Sequence, residues 1–350
     1  MIRGYKGPQR QPINQPRIGN ILDPLGNGKK WTNVWGAVMN VPQPSSGIAV
    51  SPTPTPTASV TPTPSITPTL TPTKTSTPTP TPTASSIPSG TTEANTFLAA
   101  ARTAKGSDLG STVSAATTTL FTSLVSNNLW DKLTIFYPMI GGTSAPMAVQ
   151  GKSPGTNNMT WNGGWTFTAS AATGNGTNAY GNTGYNDSGS TLNDFHMAIY
   201  SFVANTNSGI DCGVEDVPRD SRSSIYTRED SGSNAVAGFN AHNQNSGYLT
   251  WTTGNTINNG SGLFVVNRSG SAAIQGYRNG IQVLTDTLVS TNTAKYSYYI
   301  GAKNSDGAVA AYSNRGYNWF SIGKSLTQAE QATFSTIINT FQTSLSRNTY

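Results

Sequence analysis

The chain has 350 residues, a formal net charge of +6 and a single cysteine, and only 10% of its residues are charged. The lone Cys212 excludes an internal disulfide framework. No apolar run approaches the roughly 18 residues that span a bilayer, and the opening "MIRGYKGPQRQP" lacks the apolar stretch of a secretory signal. We therefore expect no membrane partner.

The positive charge lies in an N-terminal arm, residues 1–44. Its net charge is +5, because six basic side chains are opposed only by Asp23. Basic arms commonly hold acidic partner surfaces, and two tryptophans in so short a segment favour burial in a partner. We predict that the arm anchors the chain; the alternative is an unstructured tail kept soluble by charge. The predicted anchor residues are Arg3, Lys6, Arg10, Arg17, Lys29, Lys30, Trp31 and Trp35.

A linker rich in threonine and proline follows, residues 45–90. Between Ser51 and Gly90 it contains eleven prolines, and its only charged residue is Lys74. Each proline removes a backbone donor and fixes φ at about −65°, and the residue before it is pushed to an extended conformation. This spacing predicts an extended rod of polyproline II type, which joins the arm to a folded body.

Residues 91–130 are predicted to be a helical lead-in to the body. The segment Thr92–Ala104, "TEANTFLAAARTA", is composed mainly of good helix formers. In Val113–Val125 the apolar residues recur every three or four positions, which is the stripe of an amphipathic helix.

Residues 131–350 are predicted to form an antiparallel β-sandwich with a C-terminal helix. Short β-patterned runs alternate with Gly/Asn turns and no helices intervene. Asn279-Gly280 in "YRNGIQV" supplies the pair of positive φ angles that a type I′ hairpin needs. Thr327 and Glu330 form a capping box for the last helix. From residue 91 onward the basic and acidic residues balance, so charge gives no reason to predict nucleic-acid binding.

Two segments, "IQGYRNGIQVLTD" and "YYIGAKNSDGAVAAYSNRGYNWFSIGKSLTQAE", resemble the concanavalin A-like (laminin-G-type) jelly rolls. The span from about Thr92 to Arg347 is similar to a family of tailed-bacteriophage structural proteins. That similarity rests on "ANTFLAAART", "LWDKLTIFYPMIGGTSAPM", "WNGGWTFTASAATGNGTNAYGNTG" and "SLTQAEQATFSTIINTFQTSLSR". The resemblance implies a mainly β protein with a jelly-roll domain displayed on a phage head or tail. It brings no catalytic residues.

We predict no catalytic site and therefore no enzyme. Glycosidases of concanavalin-like fold place paired carboxylates on one strand face, and no Glu-x-Asp-x-Glu run exists here. The adjacent pairs Glu215-Asp216 and Glu229-Asp230 point to opposite faces of any strand, and we interpret both as solvated loop ion pairs. His196 is interpreted as a packed side chain in a strand. A Ser-His-Asp arrangement assembled across the fold stays open at this stage.

We also predict neither a metal site nor a cofactor. Two histidines and one cysteine do not give zinc-ligand spacing, and no Gly-rich phosphate loop is present. The loops Lys303–Ala308 and Gly184–Ser190 contain oxygen ligands that suit calcium. Their Asn, Asp and Gly residues are equally typical of ordinary turns, which we favour.

Glycan binding has candidate residues. Trp161, Trp165, Tyr180 and Tyr185 cluster in a segment rich in glycine and asparagine, and sugars bind to aromatic faces flanked by amides. The alternative is that both tryptophans pack in the sandwich core, and we regard it as the stronger interpretation.

The leading hypothesis is a virion structural protein, either a capsid decoration protein or a head or tail fibre. The arm and linker would bind other virion proteins, and the jelly roll would face outward from the virion surface. We expect a homo-oligomer, with a trimer as first candidate, because multivalency compensates for weak single anchors. The alternatives are a tail protein that recognises host glycans and, less favoured, a polysaccharide depolymerase.

Overall fold

The computed structural model of the protein describes residues 31–32, 38–39, 90–202, 209–231, 234–244, 249–252 and 260–349. The chain divides into two units, Met1–Pro80 and Thr81–Tyr350. In the first unit, strands β1 (Trp31–Thr32) and β2 (Val38–Met39) pair antiparallel. The other predicted anchor residues and the linker up to residue 89 lie outside the described residues.

Four α-helices, two 3-10 turns and seventeen strands make up the described part of the second unit. The helices are α1 (Thr91–Lys105), α2 (Ser111–Ser126), α3 (Ser144–Met147) and α4 (Gln328–Ser344), and the 3-10 turns are Trp130–Lys132 and Val217–Arg219. In chain order, the first eight strands of this unit are β3 (Leu133–Tyr137), β4 (Thr160–Asn162), β5 (Trp165–Phe167), β6 (Ala172–Gly174), β7 (Tyr180–Asn182), β8 (Phe195–Ser201), β9 (Cys212–Asp216) and β10 (Ser221–Ser231). The later strands are β11 (Asn234–Asn243), β12 (Thr250–Thr252), β13 (Gly262–Gly270), β14 (Ala273–Arg278), β15 (Ile281–Asp286), β16 (Tyr299–Ile300), β17 (Lys303–Ser305), β18 (Ala308–Ala310) and β19 (Gly316–Gly323).

These strands form two sheets. The nine-stranded sheet has the order β12-β11-β10-β9-β16-β7-β4, with β17 paired to β9 and β18 paired to β17. The eight-stranded sheet has the order β15-β14-β13-β8-β19-β6-β5, with β3 attached at β19. Pairing is antiparallel except between β17 and β9. The two sheets enclose one apolar core, so the protein is a mainly β, antiparallel sandwich of the jelly-roll type, as predicted.

Strand alternation explains which residues reach that core. Across the nine-stranded sheet, one row of cross-strand neighbours faces the other sheet: Trp161, Gly181, Ile300, Cys212, Ile225 and Phe239. The adjacent row faces away and is mostly polar: Thr160, Asn182, Tyr299, Gly213, Ser224 and Asn240. Successive side chains on a strand point to opposite faces, which produces this separation.

The helices cover the outer face of the eight-stranded sheet and form a second apolar core with it. Trp319 of β19 is fully buried there, stacks on Phe136 at 5.2 Å between ring centroids, and meets Phe334 of α4 at 6.1 Å. None of the helices in the described ranges is long and apolar enough to cross a membrane.

The local predictions are confirmed. The predicted lead-in helices are α1 and α2, and Asn279-Gly280 forms the turn between β14 and β15 with φ angles of 51° and 79°. At the start of α4, the Thr327 hydroxyl accepts a hydrogen bond from the Glu330 N–H at 3.2 Å, and the Glu330 carboxylate accepts one from the Thr327 N–H at 2.7 Å.

The interpretation of both carboxylate pairs as solvated loops is wrong. Glu215-Asp216 ends strand β9 and is buried, and Glu229-Asp230 lies within β10. Glu215 accepts hydrogen bonds from Arg222 and Lys303, which neutralise it inside the fold. Burial alone would raise the pKa of Glu215, but these two cations outweigh it and hold the pKa below its usual value.

Candidate functional site

A polar groove of about 340 Å³ lies where the helix layer ends, between the start of α4 and the strands β13, β14 and β15. The strands provide its floor: Asn267, Ser269, Gln275, Tyr277, Gln282 and Thr285. The wall consists of Lys132 and the segment Ser325–Gln328. Nine of the eleven lining side chains therefore carry an amide or a hydroxyl, which can both donate and accept hydrogen bonds.

Strand register places the floor residues on one face. Asn267 pairs with Gln275 and Gln275 with Thr285, while Tyr277 pairs with Gln282. The Asn267 amide donates to Gln275 Oε1 at 3.0 Å and to the Leu326 carbonyl at 3.1 Å, and its Oδ1 accepts from the Leu326 N–H at 2.8 Å. Asn267 thus fixes the floor to the wall, which gives the groove a rigid shape.

The groove has no unbalanced charge. Its one charged lining residue is Lys132, whose ammonium forms an ion pair with Glu330 at 3.2 Å. Burial raises the pKa of Glu330, but hydrogen bonds from Thr327 and Lys132 outweigh it and hold the pKa below its usual value. Because this carboxylate also caps α4, the positive end of the helix dipole is already occupied. The surface therefore suits a neutral ligand.

The two predicted tryptophans lie at the other end of the sandwich and pack as side chains of the core. Trp161 and Trp165 are half-buried and contact each other at 4.8 Å between ring centroids, edge to face. The Trp161 indole N–H donates to the Ser144 carbonyl at 2.8 Å. Protein atoms therefore occupy much of both indole surfaces, as the alternative interpretation anticipated.

The two predicted tyrosines lie elsewhere. Tyr180 points away from the core on the nine-stranded sheet, 4.8 Å from the ring of Tyr299. Tyr185 stacks on Tyr298 at 6.3 Å, and burial together with the nearby Asp187 raises its pKa to about 12. The structure does not bring the four aromatic residues onto one surface. Their contact with a glycan stays a prediction.

Both histidines are buried and hydrogen-bonded to backbone carbonyls. His196 is fully buried in β8 and donates from Nδ1 to the Lys324 carbonyl at 2.5 Å, so the packed interpretation is confirmed. His242 is also buried; its Nδ1 donates to the Leu192 carbonyl at 2.8 Å, and its Nε2 contacts the Asp187 carboxylate. Neither nitrogen of His242 is left to activate a nucleophile.

The two loops considered for calcium are turns. In Lys303–Ala308, Asn304 Oδ1 accepts from the Gly307 N–H at 2.9 Å, and Asp306 Oδ1 accepts from the Val217 N–H at 2.9 Å. In the other loop, Asp187 binds the Ala294 N–H and the Tyr298 hydroxyl. Across the ranges that the structure describes, no three Asp, Glu, His or Cys residues group as metal ligands.

The groove was not predicted from the sequence. A local signal existed in "IQGYRNGIQVLTD", because Gln275, Tyr277, Gln282 and Thr285 lie on one face of a hairpin and all carry an amide or a hydroxyl. A polar residue at position 267 in the run "GLFVVNRS" was a second signal.

No family model matches the chain, and no curated protein matches its sequence. Its structure is similar to domain 4 of AbnA, a GH43 extracellular arabinanase from Geobacillus stearothermophilus solved with arabinotriose, at 17% identity and a TM-score of 0.40; the match covers 58% of this chain and 98% of that one. It is also similar to the binding domain of botulinum neurotoxin serotype D, at 9% identity, a TM-score of 0.41 and coverage of 59% and 52%.

A third similar structure is one of botulinum neurotoxin type C, whose cell entry depends on interaction with two ganglioside molecules. The identity is 12%, the TM-score is 0.42, and the match covers 61% of this chain and 53% of that one. The chain thus spans about half the length of the neurotoxin structures. At these identities and TM-scores, the likenesses say nothing about what this chain binds.

Proposed function

We propose that the sandwich is a non-catalytic carbohydrate-binding domain that holds a neutral saccharide in the polar groove. The observation that carries the proposal is the composition of the groove: amides and hydroxyls on a rigid floor, with its single ammonium already paired. A saccharide presents hydroxyls that donate and accept in the same way, so each can exchange its water for a protein partner.

The size and charge of the groove narrow the ligand class. At about 340 Å³ it lies near the lower end of the roughly 300–1,000 Å³ range of small-molecule sites, which suits one or two sugar rings. An anionic ligand would find the N-terminus of α4, which would otherwise attract it, already occupied by the Glu330 carboxylate. A cation would meet Lys132. A neutral sugar avoids both conflicts.

The buried ionisable groups already contact other protein groups, which supports the proposal that the domain is non-catalytic. General acid–base catalysis needs a titratable group that reaches the substrate. Both histidines are fully buried, and Glu215 is fixed between two cations. The groove itself contains no carboxylate among its lining residues.

A glycan array probed with the full chain tests the proposal, followed by titration of the best neutral hit. Gln282→Ala and Thr285→Ala each remove one exposed groove group, and each should weaken binding about fivefold, the equivalent of one hydrogen bond of about 1 kcal/mol. Thr252→Ala, an exposed threonine on β12 outside the groove, is the matched control and should leave binding unchanged. Unaltered affinity in both groove variants would place the site elsewhere, and the absence of any hit would overturn the function.

A second proposal concerns where the domain is presented. A net charge of +5 in residues 1–44, separated from a neutral body by eleven prolines, supports attachment to a larger particle. Together with the resemblance to phage structural proteins, this supports a virion component that displays its sugar-binding domain outward. Deleting residues 1–44 should abolish incorporation into particles while saccharide binding by the remaining chain persists. Incorporation that survives the deletion contradicts the anchor.

A further inference from the structure

Six described strands of the two sheets pair with one other strand only, and they differ in length. β4, β5, β12 and β18 each have three residues and β3 has five, whereas β15 has six. Very short terminal strands are a common protection against pairing between molecules, because they offer few backbone groups. In the described part of the chain, β15 pairs only with β14, so its other edge is open.

β15 also lacks side chains that would block pairing. Ile281–Asp286, "IQVLTD", contains no lysine, arginine or proline. Ile281 is 70% exposed and Val289, just beyond the strand, is 50% exposed; only one other described large apolar residue is comparably exposed. An open, apolar and nearly uncharged strand edge is a template for a further strand.

We propose that two copies of the chain pair antiparallel through β15, about a twofold axis between Val283 and Leu284. In this register Ile281 faces Asp286 of the second copy, and Gln282 faces Thr285 of the second copy. The register conserves side-chain faces, because Ile281 and Asp286 lie on the core side of β15 while Gln282 and Thr285 lie on the groove side. The bulge that interrupts β15 between Gln282 and Leu284 falls at the axis.

The low charge of β15 favours a second copy of the chain as the partner that pairs with its open edge. Identical edges usually repel where like charges meet. Here the only charge of β15 is Asp286, and the register sets the two carboxylates about 17 Å apart along the strands, beyond the Debye length of about 8–10 Å. A six-residue strand buries less than the roughly 1,200–2,000 Å² of a stable interface, so the pair is expected to be weak and to depend on protein concentration.

Such pairing would extend the proposed sugar site, and this step rests on the proposed function. A twofold axis perpendicular to the sheet keeps the groove faces of both copies on the same side. Gln282 and Thr285 of each copy would then meet at the seam, and the two grooves would form one continuous floor. Two sites held together bind a dense glycan surface more tightly than either site alone, by a factor of about 10²–10⁴.

The test is the mass of the full chain by sedimentation over a concentration series, for the wild type and two substitutions at one exposed position. Ile281→Asp places a carboxylate opposite Asp286 of the second copy at both ends of the pair, and should halve the mass. Ile281→Lys places an ammonium opposite the same carboxylate, and should keep the wild-type mass. The two variants differ only in the sign of the charge, so the pair separates this register from general disruption.

The results separate the two proposals. A wild-type chain that is monomeric up to hundreds of micromolar, an Ile281→Asp dimer, or a trimer unaffected by both substitutions overturns the pairing. Ile281→Asp should leave the affinity for a soluble monovalent sugar unchanged, and should lower apparent affinity for a glycan-coated surface by tenfold or more. If no sugar binds although the masses behave as expected, the sugar-binding function fails and the pairing stands.

Discussion

Acidification should destabilise the fold through His196. Burial, the largest cause, lowers the pKa of this imidazole to about 4, against an ordinary value of 6.5. The hydrogen bond to the Lys324 carbonyl and the carboxylates of Asp194 and Glu330 raise the pKa, and Lys132 lowers it further. The Nε2 atom is buried and has no hydrogen-bond partner, so a proton placed there would be poorly solvated.

Proton binding by the folded and unfolded chains determines whether stability rises or falls with pH. Below pH 6.5 the unfolded chain binds a proton at His196, whereas the folded chain binds one there only below about pH 4. Stability therefore falls as the pH decreases through this window. The difference of 2.5 pKa units corresponds to about 3 kcal/mol in full, of which about 2.5 kcal/mol is lost by pH 4.5.

Urea unfolding of the wild type and of His196→Gln at pH 7 and pH 4.5 measures this loss. Glutamine does not titrate, while the other ionisable groups are common to both chains and cancel in the difference. The stability advantage of the wild type should therefore shrink by about 2.5 kcal/mol between the two pH values. A difference that stays constant within about 0.5 kcal/mol would show that His196 does not titrate as its burial implies.

Two further substitutions test how much a buried ion pair and a helix cap contribute to the stability of the fold. Asp211→Ala should lower the free energy of unfolding, measured with urea, by about 3–5 kcal/mol. The substitution removes the carboxylate that lies 3.0 Å from the buried Arg315 guanidinium and 2.6 Å from the Tyr317 hydroxyl. A decrease of less than about 1 kcal/mol would contradict this prediction. Thr327→Ala removes the cap of α4 and should cost about 1 kcal/mol by the same measurement. Thr340→Ala, an exposed position in the same helix, is the control and should change stability by less than about 0.5 kcal/mol.

Features set by neighbouring residues were predictable from the sequence. The capping box at Thr327 and the Asn279-Gly280 hairpin involve residues within three positions of each other, so their chemistry can be read directly. The helix-forming composition of α1 and the apolar stripe of α2 are equally local. Alternating strands predicted a sandwich because each strand hides one face, although their pairing order could not be derived in this way.

Features set by distant residues were not predictable. Glu215 looked like a solvated loop charge, and only the fold brings Lys303, 88 positions away, against it. The groove depends in the same way on Asn267 meeting Leu326, 59 positions along the chain. Packing of Trp161 and Trp165 in the core was the stronger interpretation, but the residues they contact could not be predicted, because those depend on which sheet edges lie together. Sequence patterns thus identify the elements, while register and crossovers decide the site.

The position of the groove follows from how the helix layer covers the sheet. The helices meet the eight-stranded sheet over its central strands, where Ala198, Val265 and Trp319 belong to the second apolar core. Towards β15 the same sheet face changes from apolar to amide and hydroxyl residues, where it faces the segment Ser325–Gln328 that leads into α4. The capping box fixes where α4 begins, and so where cover ends and the groove starts. The groove floor includes Gln282 and Thr285 of β15, which is also the terminal strand of this sheet, so the proposed sugar site and the proposed pairing edge adjoin each other.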